Sequence, residues 1–238
     1  MISTIRRART GLLVAGLLGL AACAEPREGP AAAPPQEGTA GVAGLRESDG
    51  STRPRVVVLG DSLTAGLGLA AEEAYPALLQ QRIDERGWPY EVVNHGESGG
   101  TTAGGLSRLD WALRGDVRIL VVALGGNDGL RGLPPGEMKR NLSAIVGEAQ
   151  RRGISVLIAG MEAPPNLGED YTSEFRQVFR DVAGETHAAF VPFLLEGVAG
   201  IPELNQTDEI HPTAEGAHII AGTIWSALEP LLEAVSAS

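Results

Sequence analysis

Five short apolar runs alternate along this chain with longer segments of helical period. The runs cover 55–60, 90–94, 117–124, 154–160 and 189–193. Each is short, apolar and rich in β-branched residues, the pattern of a strand buried in a parallel sheet. Helices are predicted over 72–86, 102–114, 136–152, 171–186 and 213–234. In the third of these, Met138, Leu142, Ile145, Val146 and Ala149 fall on one face. Gly87 and Gly153 stand where helix C-caps belong. Parallel neighbours need a crossover as long as a helix, so this alternation implies a sheet covered on both faces. The predicted fold is a three-layer α/β/α sandwich with five parallel strands in the flavodoxin-like order 2-1-3-4-5. Ligands in such folds bind beyond the carboxyl ends of the strands. The loops there are 61–71, 95–101, 125–135, 161–170 and 194–212.

The first 54 residues read differently. Arg6, Arg7 and Arg9 precede an apolar stretch, Gly11 to Leu20, too short for a comfortable membrane span. Leu20-Ala21-Ala22-Cys23 follows and resembles the lipobox of bacterial lipoproteins. That resemblance implies a signal peptide over 1–22 and a diacylated Cys23, the single cysteine of the chain. The alternative is an ordinary secretory signal with Cys23 incidental. Residues 23–54, rich in Ala, Pro, Gly and Glu without helical or strand period, are expected to form a disordered tether. The folded domain is expected at 55–238. The expectation is an exported protein held on a membrane through Cys23 and facing the periplasm. Ala24 lacks the aspartate that marks inner-membrane retention in some bacteria, which favours the outer membrane where one exists. The net charge of −11 argues against a nucleic-acid partner, which needs a basic face. A hydrophobic content of 43% is enough for one good core, and a monomer is expected.

Chemistry concentrates at two places far apart in sequence. Gly60-Asp61-Ser62-Leu63 sits at the exit of the run Val56-Val57-Val58-Leu59. Asp208-Glu209-Ile210-His211 lies just before the last helix. A serine hydroxyl is a poor nucleophile at neutral pH and needs a base. Histidine is the side chain whose unperturbed pKa suits that task, so His211 is the candidate base for Ser62. Asp208 can accept the other imidazole N–H and fix the tautomer. Oxyanion donors are then needed, and the Ser62 N–H, the Gly99 N–H and the Asn127 amide are the candidates. Asp61 is expected to bond loop N–H groups rather than to take part in the chemistry. Asp208 could alternatively cap the last helix, and Asn127-Asp128 could form an Asx turn. His95, His187 and His218 have no evident partner, although His95 lies where it could line a pocket. The histidines show no metal-ligand spacing and no phosphate-binding loop occurs, so neither a metal nor a cofactor is expected.

With those residues in view, the chain resembles the SGNH (GDSL) hydrolase family, especially its periplasmic thioesterase, lysophospholipase and arylesterase group. Four blocks match in order over about 55–235: Gly60-Asp61-Ser62-Leu63-Thr64, Asn94-His95-Gly96-Glu97-Ser98-Gly99, Gly125-Gly126-Asn127-Asp128 and Asp208-Glu209-Ile210-His211-Pro212. The resemblance implies a serine esterase acting on small esters, acyl thioesters or lysophospholipids through an acyl-enzyme on Ser62. It also implies an acyl pocket walled by the loop Met161 to Asn166, with Pro165 and Asn166 as candidates, and by Leu130 to Pro135. The chain departs from the group's usual Ser-Gly-Asp-Thr, because Ser98-Gly99 is followed by Gly100-Thr101, and Glu97 adds a charge nearby. Carbohydrate O-deacetylation and a non-catalytic envelope-binding role are the alternative functions.

Ser98 is a rival nucleophile. Gly96-Glu97-Ser98-Gly99-Gly100 fits the G-x-S-x-G elbow, and Ser98, Asp208, His211 follow the α/β-hydrolase chain order. The domain is short for that fold, no oxyanion loop of the HGGG type precedes Ser98, and Asn127 would be left without a role. Ser62 is therefore the expected nucleophile.

Overall fold

The computed structural model describes residues 53–237. The expected signal peptide, Cys23 and almost all of the expected tether lie outside the described residues. Five strands, β1 (Arg55–Gly60), β2 (Glu91–Gly96), β3 (Val117–Ala123), β4 (Ser155–Ala159) and β5 (Ala189–Val191), form one sheet. Its order is β2-β1-β3-β4-β5 and every pairing is parallel, as the alternating pattern predicts. Eight helices are described: α1 (Ser62–Ala65), α2 (Tyr75–Glu85), α3 (Thr102–Ser107), α4 (Leu109–Ala112), α5 (Gly126–Leu130), α6 (Pro135–Arg151), α7 (Glu169–Thr186) and α8 (Ala214–Ser236).

The core follows from the apolar runs. Val56 to Leu59 of β1 and Ile119 to Val122 of β3 are fully buried at the middle of the sheet. The face of α6 read from its period, Met138 to Ala149, is buried as a stripe. In α8, Ala217, Ile220, Ala221, Ile224, Leu228 and Leu232 do the same. The edge strand β2 is closed by side chains rather than by a neighbour. Gln80 accepts from the Val92 N–H at 2.6 Å and donates to the Tyr90 carbonyl at 3.1 Å, and Asn94 accepts from the Gly96 N–H. Satisfying the outward backbone groups in this way removes a template for further pairing.

Three differences from the sequence reading have local causes. The predicted helix 102–114 is two short helices, α3 and α4, broken at Arg108. Gly104 and Gly105 weaken the helix, and Arg108 turns its guanidinium onto the Gly60 carbonyl at 2.6 Å. β5 stops at Val191, because Pro192 has no N–H to give the ladder. The two shortest helices at the site, α1 and α5, span too few residues for a helical period to show.

Candidate active site

β1 is an interior strand flanked by β2 and β3, so its exit opens on the carboxyl edge of the sheet between two neighbours. The chain turns there directly into α1. Asp61 caps that helix, its carboxylate accepting from the Leu63 N–H at 3.1 Å. Ser62 is thereby the first helical residue and not the cap, and its own N–H lies among those without an intrahelical acceptor. Gly60 and Gly96 let the segments approach. A Cβ on Gly60 would overlap the Thr64 hydroxyl, and one on Gly96 would overlap the backbone of Ala65.

The His211 Nε2 lies 2.9 Å from the Ser62 Oγ, and the His211 Nδ1 lies 2.6 Å from the Asp208 Oδ2. The second carboxylate oxygen of Asp208 accepts from the N–H groups of Ile210 and His211, both at 3.0 Å. These bonds to the charged form hold Asp208 below the usual carboxylate range. The last helix does not compete for it, since Thr213 caps α8 through the Gly216 N–H. The loop that carries the pair is stapled by two polar side chains. Asn205 donates to the carbonyls of Val198 and Ile201, and Gln206 donates to those of Leu67 and Pro212. The bond to Leu67 ties the histidine loop to the segment that follows Ser62.

The oxyanion candidates converge on the same serine. Glu97 to Gly100 form a turn closed by the Gly100 N–H to the Glu97 carbonyl at 2.8 Å, with Gly99 at φ +77° in the third position. That position of such a turn needs glycine. The Gly99 carbonyl accepts from Arg131 at 2.9 Å, which ties the turn to the end of α5. Asn127 donates one amide N–H to the Asp61 carboxylate at 3.2 Å, leaving the other free for a ligand. Asp61 is 4% exposed, and burial pushes its carboxyl up to about 6 against the bonds from Leu63 and Asn127. The neighbouring Asp128 has a separate task. It is buried and accepts both the N–H and the hydroxyl of Thr102, tying α5 to the start of α3.

A cavity of about 590 Å³ opens above these groups. Ser62, Gly99, Asn127 and His211 lie in its wall together with Leu130, Met161, Ala163 and Pro165. The loop after β5 adds Phe193, Leu195 and Ala199.

Comparison with known proteins decides the family. The profile of the GDSL-like Lipase/Acylhydrolase family matches residues 58–219. The chain belongs to this family. It is 43% identical to Esterase TesA of Pseudomonas aeruginosa over 178 residues, covering 74% of this chain and 89% of that protein. It is 34% identical to Thioesterase 1/protease 1/lysophospholipase L1 of Escherichia coli, covering 74% and 84%. Among solved structures, the psychrotrophic esterase EstA from Pseudoalteromonas superimposes with a TM-score of 0.71 at 32% identity, covering 75% of this chain and 98% of that one.

Within this GDSL framework the structure brings together Ser62, Gly99, Asn127, Asp208 and His211. Leu130 and Pro165 line the cavity as well, but Asn166 does not. It follows Pro165 within a single 3₁₀ turn, Pro165–Leu167, where successive side chains diverge by a third of a turn. His95 is also absent from the wall. Its ring packs edge-to-face with Trp111, the centroids 4.3 Å apart, and burial together with the Arg108 and Arg55 charges lowers its pKa to about 4. Ser98 borders the cavity but has no histidine against it, since the His211 Nε2 is engaged with Ser62. Three supporting residues escaped the sequence reading: Arg131, Gln206 and Arg108. Each acts through a backbone carbonyl distant in sequence, which leaves no local signal.

Proposed function

We propose that this GDSL hydrolase cleaves acyl esters or thioesters through an acyl-enzyme on Ser62. The observation that carries the reading is the unbroken chain Ser62 Oγ, His211, Asp208, with links of 2.9 and 2.6 Å. Ser62 attacks the acyl carbonyl carbon and its proton passes to the His211 Nε2. Asp208 holds the Nδ1–H and stabilises the imidazolium. The oxyanion is met by the N–H groups of Ser62 and Gly99 and by the free amide N–H of Asn127. Collapse breaks the bond to the alcohol or thiol, which leaves with the proton from His211. Water, deprotonated by His211, then releases the acid and restores Ser62. The cavity wall of Leu130, Met161, Ala163 and Pro165 suits an acyl chain longer than acetyl, so the carbohydrate O-acetyl esterase reading gains no support from it. EstA was obtained inhibited by monoethylphosphonate, which fits the same nucleophilic chemistry in a relative.

The same proposal makes the protein an exported monomer, anchored by a diacylated Cys23 and facing the periplasm. The basic residues Arg6, Arg7 and Arg9, the short apolar stretch and Leu20-Ala21-Ala22-Cys23 support the export and the anchor. One experiment tests both parts. Membrane and soluble fractions of cells making the wild type or Cys23→Ser are assayed on p-nitrophenyl esters from acetate to palmitate. The expected result is an optimum beyond acetate, with activity in the membrane fraction only for the wild type. An acetate-only profile would overturn the substrate reading. Membrane activity that survives Cys23→Ser would overturn the anchor.

A further inference from the structure

The charge of the cavity has a consequence for the group that leaves. Asp61, Glu162 and Glu209 are in its wall, and no lysine or arginine is, among the described residues. Arg176 pairs with Glu162 at 3.0 Å and offsets its charge, while Arg131, bonded to the neutral Gly99 carbonyl, keeps its charge on the oxyanion side. Glu209 is the carboxylate left at the mouth without an ion pair among the described residues. The departing atom takes its proton from His211, so the group attached to it must lie beside His211. That end carries Glu209 two residues upstream, with the Asp208 carboxylate, bonded to the His211 ring, next to it. Leu67 and Ile210, both about half exposed, form the apolar part of the same mouth.

Glu209 has a second peculiarity. It sits at φ +60°, a conformation that a residue with a Cβ rarely adopts, in a turn closed by its N–H on the Gln206 carbonyl at 2.9 Å. Glycine or asparagine would hold this turn at lower conformational cost. A carboxylate is present there instead, exposed at the mouth of the site.

Resting on the esterase reading, we propose that the site selects substrates by the charge of the leaving group. Neutral and cationic groups are accepted, polyanionic groups such as phosphate-bearing thiols are disfavoured, and Glu209 is the specificity-determining residue. The repulsion acts at the mouth, where it is weakened by solvent and screened over about 8 Å at physiological salt. The net charge of −11 works in the same direction.

The test uses the full chain and three thioesters with one acyl group: butanoylthiocholine, S-butanoyl-N-acetylcysteamine and butanoyl-coenzyme A. Thiol release is followed at low and at high salt. The expected kcat/KM for the coenzyme A ester is roughly tenfold below the neutral thioester at low salt, and the gap narrows as salt rises. Glu209→Gln is expected to reduce that gap by roughly threefold, the scale of one screened charge. A coenzyme A ester used as well as the neutral one would overturn the proposal. So would a deficit indifferent to salt and to Glu209→Gln, which would point to exclusion by size. Failure to hydrolyse any of the three, or the p-nitrophenyl series, would instead bring down the esterase reading beneath it.

Discussion

Asp61 and Asp208 are the same residue type in one site, yet their surroundings drive them in opposite directions. Asp61 lies in the turn between β1 and α1 and is 4% exposed. Burial raises its pKa to about 6, although Leu63 and Asn127 donate to it. Asp208 lies in an exposed loop, where two backbone N–H groups and the His211 ring drive its pKa below the usual range. Water and well-aimed donors keep a carboxylate charged, whereas burial with two donors does not fully offset lost hydration. The difference also assigns their work. Asp208 is a constant negative partner for an imidazole that gains and loses a proton. Asp61 is a fixed acceptor that locks the helix start and the Asn127 amide.

The largest effects should come from breaking the exposed half. His211→Ala is expected to lower kcat by about 10⁶ and Asp208→Ala by about 10⁴–10⁵. Steady-state rates on a p-nitrophenyl ester measure both, and near-normal turnover in either variant would contradict the assignment.

Breaking the buried half should show in stability more than in chemistry. The folded pKa of Asp61, about 6, stands above the ordinary 3.8. Between those values the folded state binds more protons than the unfolded one, so the contribution of Asp61 to stability falls as pH rises through that window. Its full cost above pH 6 is about 3 kcal/mol. Asp61→Asn lacks this dependence. Urea unfolding from pH 4 to pH 7 should therefore show the wild type losing ground to Asp61→Asn as pH rises. A difference constant with pH would contradict the burial argument. Asp208 contributes with the opposite sign, its stabilisation being present above the ordinary carboxylate pKa and lost only as pH falls through its depressed one.

The sequence shows the fold clearly where the signal is periodic. Val56 to Leu59 and the stripe from Met138 to Ala149 announce a buried strand and an amphipathic helix, and five such strands in alternation leave little choice of topology. The triad was legible because serine, aspartate and histidine stand at strand exits or before the last helix. What the sequence hides is the support between loops. Gln206 reaches Leu67 and Arg131 reaches Gly99, contacts made through carbonyls that every residue possesses. Asn166 misleads for a related reason: a loop's general position can be read, but which of its side chains faces inward depends on one 3₁₀ turn. The break at Arg108 likewise depends on a carbonyl of β1 that only the folded chain presents.

Everything proposed for this site depends on Ser62, and not the neighbouring Ser98, being the nucleophile. The most direct measurement is to react the full chain with a fluorophosphonate and map the adduct by mass spectrometry of its peptides. One phosphonyl group is expected on Ser62, lost in Ser62→Ala and retained in Ser98→Ala. An adduct on Ser98, or labelling that persists in Ser62→Ala, would contradict it.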